Sequence, residues 1–406
     1  MRELPRAWLS IVGIGEDGVT GLSAEARRLI ESAQLVFGGA RHLSLAASLI
    51  RGTPRPWASP FERNLPEILE HRGTQVCVLA SGDPFLHGIG SVVCRHLVPG
   101  EAIAIPAPSS FSLAASRLQW PLEQATQLSL CGRPLDLIRP HLQPGARILA
   151  LTSDGRTPER LATLLRGTGF GRSRMTILEA LGGPGERIRT APADAFALED
   201  INPINLVALE VLADADARVL PRVTGLPDDL FEHDGQITKR EIRALTLSAL
   251  APRRGEHLWD VGAGCGSVAI EWLLADPSLR ATALEQRADR AERIHRNAMA
   301  LGVPDLKVIH AAAPDGFTEL RAPEAIFIGG GATTPGVLES ARAALRPQGR
   351  LVANAVSLET QALLLAQHAQ LGGTLLQVAL ARSGPLGEAS GWRPAMPLVQ
   401  WTWVKS

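Results

Sequence analysis

Several stretches of this chain run from apolar residues into glycines, a pattern that leaves room for a ligand against bare backbone. In "HLWDVGAGCGSVAIEW", residues 257–272, Gly262, Gly264 and Gly266 fall within five positions, between a strand-like run and a helix expected from Ser267. Without Cβ atoms such a turn takes left-handed conformations and lets a nucleotide approach its amides. Asp260 stands two residues before the first glycine, and the next strand-like run, "ATALE", ends in Glu285. An ionised carboxylate at that place offers two oxygens to a ribose diol. The first half repeats the pattern in "WLSIVGIGEDG" (8–18), with Gly13 and Gly15, and in "LASGDPFLHGIG" (79–90), where Ser81-Gly82 precedes Asp83-Pro84. That tight turn exposes backbone amides and one carboxylate.

The glycines alone leave the nucleotide open. A dinucleotide site would use G-x-G-x-x-G with a pyrophosphate on the helix N-terminus. Here the third glycine comes one residue early and Ser267 takes the last slot. A nicotinamide-dependent oxidoreductase therefore stays an alternative, separable by whether NAD or S-adenosylhomocysteine stabilises the chain. No Ser-His-Asp set is evident, so no catalytic acid or base is assigned, although His42, His87 and His233 could carry protons. Arg240 and Arg243, one turn apart on a helix expected over 238–250, are candidates to meet substrate carboxylates. Arg287, Arg290, Arg293 and Arg296 repeat at helical spacing with Asp289 and Glu292 between them, and read as a solvated face.

These loops need strands that end at them and helices that carry the chain back. Strand patterns over 8–12, 75–79, 102–105, 147–151, 175–179 and 206–212 alternate with helical stretches, including one capped by Ser23 and one expected to be capped by Thr157. Residues 213–229 keep no period and carry Pro221, Gly225 and Pro227, so an interdomain linker is expected within them. A second series has strands near 257, 281, 307, 325 and 350 and closes on "TLLQVALARS" and "PLVQWTWVKS", read as two long antiparallel strands. The architecture is α/β, with domains at 1–213 and 227–406 joined by a linker at 214–226.

At 406 residues with 45% apolar and 20% charged composition, the chain is an ordinary globular one with room for two cores. Forty-one basic residues balance forty-one acidic ones, so no global field draws it to nucleic acid or an anionic membrane. The run 360–381 lacks charge, but four glutamines, His368 and Gly372-Gly373 make it a helix and a strand rather than a membrane span. Cys77, Cys94, Cys131 and Cys265 have no metal-type spacing, so no metal is expected and a reducing cytoplasm is.

The second half resembles the Rossmann-like S-adenosylmethionine methyltransferases, whose seven-stranded (class I) sheet ends in an antiparallel pair. More narrowly, "GLPDDLFEHDGQITKREIRALTLSALAP" and "FIGGGATTPGVLESARAALRPQGRLVANAVSLET" resemble the decarboxylating precorrin methyltransferase domain of cobalamin biosynthesis. The resemblance implies a cofactor held by Thr238, by Gly262, Ala263, Gly264, Cys265 and Gly266, by Glu285 at the ribose, and by Ala312 and Ala313 flanking adenine. It turns Gly329-Gly330-Gly331 to the substrate side, with Gly330 and Gly331 as substrate contacts. In the first half the two glycine loops, with "PAPSSFSLAASRL", "LCGRP", "LTSDGRTPERL" and "LEALGGPGERI" in this order, resemble the tetrapyrrole methylases. That family has a two-lobed (class III) methyltransferase fold. The resemblance implies a cofactor cleft lined by Gly13, Gly15, Gly82, Asp83, Leu86, Ser109 and Ser110.

Together the two resemblances imply a bifunctional C-methyltransferase with one S-adenosyl-L-methionine site per domain. The implied reaction methylates precorrin-6B at C-5 and C-15 and removes the C-12 acetate carboxyl to give precorrin-8. A two-domain methyltransferase acting on another tetrapyrrole or small molecule is the alternative. The expected partner is a small tetrapyrrole, with no nucleic acid and no membrane, and the chain is expected to form a homo-oligomer.

Overall fold

The computed structural model describes residues 7–60 and 63–406. The chain divides into two compact units, one reaching to Leu135 and resuming over His141–Arg218, the other comprising Asp136–Pro140 and Val219–Ser406.

The first unit holds two five-stranded sheets. Strands β1 (Leu9–Ile14), β2 (Leu35–Gly38), β3 (Thr53–Pro56), β4 (Val76–Ser81) and β5 (Ala102–Ile105) lie in the order β3-β2-β4-β1-β5, all parallel. β1 and β4 are apolar almost throughout and buried on both faces, as a parallel sheet covered by helices requires. Parallel pairing brings the loops after β1, β2, β4 and β5 to one carboxyl edge, where open α/β sheets bind ligands. Strands β6 (Ala125–Ser129), β7 (Arg147–Leu151), β8 (Arg174–Glu179), β9 (Arg187–Pro192) and β10 (Asn205–Glu210) form a mixed sheet, β6-β7-β10-β8-β9. β10 runs antiparallel to both neighbours. Of the expected helix caps, Ser23 is one: its Oγ accepts from Ala26 N at 3.1 Å. Thr157 is instead the first helical residue, because Asp154 Oδ1 already receives Thr157 N at 2.8 Å and Arg156 N at 2.9 Å.

In the second unit, β11 (His257–Val261), β12 (Arg280–Glu285), β13 (Lys307–His310), β14 (Ala325–Ile328) and β15 (Arg350–Ala355) are parallel. With β16 (Thr374–Val378) they form a seven-stranded sheet, β13-β12-β11-β14-β15-β19-β16, in which β19 (Leu398–Val404) is antiparallel to its neighbours. The sequence expected one long strand over 374–383; it breaks after Val378. A separate hairpin follows, β17 (Ala381–Leu386) and β18 (Ala389–Pro394), turning through Gly387 and Glu388 with Gly387 at φ +59°.

Alternation along β11 sorts its residues between two cores. Leu258 packs with Val268, Trp272 and Phe327 on one face, while Trp259 and Val261 pack with Ile326, Leu338 and Trp401 on the other. The chain goes from β11 outward through β12 and β13, then returns to β14 on the other side of β11. The turn after β11 thus opens at the point where strand order reverses. The segment expected as a linker contributes to this core: its Leu220 and Leu226 are buried there, beside Phe231 just after it. Glu271 Oε1 accepts from Leu226 N at 2.9 Å, which ties the segment to the helix Ser267–Ala275.

Candidate functional site

The glycine turn of the second unit is fixed by its neighbours on three sides. Gly262 N and Ala263 N both donate to Leu284 O at 3.0 Å, which docks the turn on the end of β12. Gly262 sits at φ +68°, and a Cβ there would lie 2.9 Å from Gly330 O, so this glycine lets the loops after β11 and β14 meet. Gly266 is at φ +79° and backs onto Ile294, which a Cβ would approach to 2.8 Å. Gly264 is different. It takes φ +61°, but the nearest atom to an added Cβ is Gln236 O at 3.7 Å, so its bare face looks onto open space. Glu285, buried at the end of β12, accepts from Gly264 N at 2.8 Å with Oε2 and from Arg287 N at 3.0 Å with Oε1. Each carboxylate oxygen keeps a lone pair for a further donor.

This open face belongs to a cavity of about 650 Å³, inside the range of small-molecule sites. Thr238, Gly262, Ala263, Gly264 and Gly330 line it. Cys265, Gly266, Glu285, Ala312, Ala313 and Gly331 do not form its wall: Cys265 is buried, and Ala312 and Ala313 follow β13. Four cations do line it, Lys239, Arg290, Arg382 and Arg393, the last two on the β17–β18 hairpin.

Neither arginine expected to meet substrate holds that place. Arg240 is exposed and outside the cavity wall. Arg243 is fully buried, because its guanidinium is consumed by internal partners: Glu271 Oε1, Asp228 Oδ1 at 3.1 Å, and the carbonyls of Thr238 and Leu226. It also stacks over Phe231, 4.7 Å from the ring centroid. The arginine row on the helix Ala288–Ala300 is not simply a solvated face. Arg290 Nε reaches Asp234 at 2.9 Å, Arg293 reaches it at 3.3 Å, and Arg296 pairs with Glu232 at 2.6 Å. The hydrogen bond from Arg290 leads the causes that hold the Asp234 carboxyl far below the usual carboxylate range. Asn297 completes the clamp, donating to Glu232 O and to Cys265 O at 2.9 Å. The row thus fastens segment 232–236, which borders the cavity at Gly235 and Gln236, to the glycine turn.

In the first unit, three loops close together at the carboxyl edge of the parallel sheet. Gly13 has no room for a side chain: a Cβ would lie 1.8 Å from Gly82 O and 2.7 Å from Ala107 N. Gly82 itself is at φ +53°, and its Cβ would stand 3.0 Å from Pro108 O. Beside Gly15, a Cβ would meet Asp17 Oδ1 at 2.7 Å. Asp83 Oδ1 accepts from Phe85 N at 2.9 Å, an Asx turn that fixes the loop and leaves Oδ2 unused by it. Leu86 packs onto the core under the second sheet with Phe111 and Leu113. Ser109 caps the helix Ser110–Leu118, its Oγ accepting from Ser112 N at 3.1 Å. The helix Ala40–Leu45, which follows β2, joins the same edge and carries Arg41 and His42 to Ser81.

Comparison with known proteins matches each unit to a family model. Residues 9–197 match the tetrapyrrole (corrin/porphyrin) methylases, and residues 229–405 match the precorrin methyltransferase domain. A Sinorhizobium protein named precorrin-6Y C(5,15)-methyltransferase (decarboxylating) is 57% identical over 398 residues, 98% of this chain and 96% of its own. This chain belongs to the precorrin-6Y C(5,15)-methyltransferase (decarboxylating) family. A Mycobacterium tuberculosis protein of the same name is 40% identical over 402 residues, covering 97% of this chain and 99% of the relative. A shorter relative from Salmonella typhimurium, named cobalt-precorrin-6B C(15)-methyltransferase (decarboxylating), is 33% identical over 179 residues, 43% of this chain and 92% of the relative.

Arg382 and Arg393 were legible only through the turn that presents them, "PLGEASG", where Gly387-Glu388 is a two-residue hairpin signal. Asp260 was singled out by spacing, and its structural task is internal: Oδ2 accepts from Ala269 N at 3.0 Å and anchors the helix after the turn. Burial pushes its carboxyl up to about 7, and the nearby Glu285 adds to the rise. A group raised in the folded state stabilises the fold below its unfolded pKa, and that stability is lost as pH climbs from about 4 to about 7. Asp260→Asn keeps an acceptor for Ala269 N and removes the titration. Urea unfolding at pH 4.5 and pH 8 should therefore show the variant gaining on the native chain at the higher pH, by on the order of a few kcal/mol. A gap that is constant with pH would place the ionisation elsewhere.

Proposed function

We infer that each unit carries its own S-adenosylmethionine site and performs one methyl transfer to carbon. On this reading the first unit methylates C-5, and the second methylates C-15 and removes the C-12 acetate carboxyl. The division of labour is supported by the Salmonella relative, which has the extent of one unit and whose name couples C(15) methylation to decarboxylation. The observation that carries the cofactor assignment is the pairing in the second unit of an open glycine face at Gly264 with the Glu285 carboxylate behind it, beside a cavity of about 650 Å³.

S-adenosylmethionine supplies an electrophilic methyl group on a sulfonium, so the protein's task is to hold a nucleophilic carbon in line with it and keep water out. The Gly262–Gly266 turn and Glu285 would hold the cofactor, with Thr238 and Gly330 on the walls of the same cavity. Lys239, Arg290, Arg382 and Arg393 would receive the substrate carboxylates. Methylating an enamine-type meso carbon leaves an iminium on the substrate. In the second unit the electron pair of the breaking C–CO₂ bond neutralises it, carbon dioxide leaves, and the meso C–H proton passes to the methylene left behind to make it methyl, so no proton is lost to an outside base.

Titration calorimetry with S-adenosylhomocysteine tests the assignment. Two equivalents per chain are expected; saturation at one would overturn it. The hairpin cations give a second check. Arg382→Gln with Arg393→Gln should raise KM for the tetrapyrrole about tenfold to a hundredfold, because each lost charge-assisted hydrogen bond is worth about 1.5–3 kcal/mol before solvent screening reduces it. S-adenosylhomocysteine binding should be unchanged, and an unchanged KM would remove the hairpin from the substrate site.

A further inference from the structure

The two methyl transfers of the proposed reaction differ in how charge is disposed of. At the second unit a carboxylate leaves. At the first nothing leaves but a proton, so the substrate cation formed by C–CH₃ bond formation must give up its meso C–H proton to some acceptor. The site there should contain a base that the second site does not need.

One cluster at the carboxyl edge of the first sheet has the composition of such an acceptor. His42, on the helix Ala40–Leu45 after β2, places Nε2 2.8 Å from the Ser81 hydroxyl at the end of β4. Ser81 is exposed and immediately precedes Gly82 and Asp83 of the expected cofactor loop. Arg41 Nη2 donates to Ser81 Oγ at 3.1 Å and lies 3.0 Å from His42 Nε2, while Arg41 Nη1 pairs with Glu16 from the loop after β1. Because a guanidinium can only donate, the Arg41 contact leaves Nε2 as an acceptor and puts the ring proton on Nδ1, which is buried with no partner among the described residues. The hydroxyl then donates to Nε2, which it shares with Arg41 Nη2, and with one Oγ lone pair taken by Arg41 the other is left for the substrate. Glu16 marks the junction of the two lobes: a Cβ on Gly183, in the loop after β8, would lie 2.6 Å from Glu16 Cβ.

We propose that Ser81 and His42 form the proton acceptor of the first methyl transfer, with Arg41 and Glu16 holding them in register. The step rests on the reading that this unit methylates a meso carbon. The S–CH₃ bond breaks as the C–CH₃ bond forms; Ser81 Oγ then takes the C–H proton while its own proton passes to His42 Nε2, and the C–H electron pair neutralises the iminium. Burial, aided by the neighbouring Arg41 charge, holds the His42 imidazole down at about 4, so it is uncharged at neutral pH and holds the accepted proton only in passing to solvent.

The test uses the full chain, a reduced precorrin and methyl-labelled S-adenosylmethionine in single turnovers. His42→Ala, His42→Gln and Ser81→Ala should bind S-adenosylhomocysteine within twofold of the native chain yet lose C-5 methylation by about a hundredfold to ten-thousandfold, the usual contribution of a general base. Added imidazole should restore part of the rate in His42→Ala. C-15 methylation and carbon dioxide release on 5-methylated substrate should persist. If the native chain places no label at C-5 from its first unit, the functional reading fails. If the native chain labels C-5 and all three variants do so within threefold of its rate, or imidazole rescues nothing, the acceptor assignment fails by itself.

Discussion

Replacing Arg243 by methionine is expected to lower the unfolding free energy of the second unit by about 3–5 kcal/mol, the cost of leaving a buried charge without its partner. Arg243 is 0% exposed and is the common partner of Glu271, Asp228, Leu226 O and Thr238 O. Methionine is close to it in length and apolar, so the loss comes chiefly from Glu271, which would stay buried with only Gly225 N and Leu226 N as donors. Adding Glu271→Gln removes the stranded charge, and the double variant should recover a large share of the stability. Urea unfolding of the two variants makes the comparison. A double variant less stable than the single one would show that packing, not the buried ion pair, sets the cost. Thr238 lines the cavity, so the single variant should also weaken S-adenosylhomocysteine binding at the second site.

Gly264→Leu is expected to leave the fold standing and to abolish cofactor binding in the second unit. A Cβ at this position meets nothing closer than 3.7 Å, so the protein tolerates the first carbon. The left-handed backbone at φ +61° costs about 1–2 kcal/mol with a side chain present. The remaining carbons would extend from that open face into the cavity that the ligand would fill. Binding there should fall by more than about a hundredfold, equivalent to about 3 kcal/mol. Calorimetry should then report one equivalent of S-adenosylhomocysteine instead of two, with the remaining affinity unchanged. Two equivalents at native affinities would show that the Gly264 face is not the cofactor site.

The strands that end in glycine loops were legible because their task demands an unambiguous pattern. β1, β4 and β11 are apolar runs, buried on both faces, that stop at glycines. β2, "LVFG", has that pattern and went unread all the same, whereas two other unread strands lack it. β3 is "TPRP", exposed along its length at the sheet edge, and two prolines suit an edge rather than a central strand. β9 has mostly exposed residues and is recognisable only through its antiparallel register with β8. The β17–β18 hairpin is a local two-stranded ribbon outside the main sheet, so no core periodicity marks it.

Site residues divide in the same way. Gly262, Gly264 and Glu285 announce themselves because a left-handed turn and the carboxylate that accepts from it constrain residue type and spacing together. Arginines do not. Arg243 and Arg382 are the same residue type, one buried in an internal network and the other on the cavity wall, and only the tertiary fold distinguishes them. Helical spacing showed that Arg290, Arg293 and Arg296 share a face. It could not show that Glu232 and Asp234 come to meet them from a segment more than fifty residues earlier. The acceptor cluster of the first unit was equally hidden, because Glu16, Arg41 and Ser81 come from a loop, a helix and a strand end far apart in sequence.

The most direct test of two methylating units on one chain is the product made by the Gly264→Leu chain. Incubated with reduced precorrin and ¹³C-methyl S-adenosylmethionine, it should yield a macrocycle whose carbon NMR spectrum shows one labelled methyl, at C-5, with the ring C acetate carboxyl retained. A labelled methyl at C-15, or release of carbon dioxide at the native rate, would contradict the assignment of both steps to the second unit.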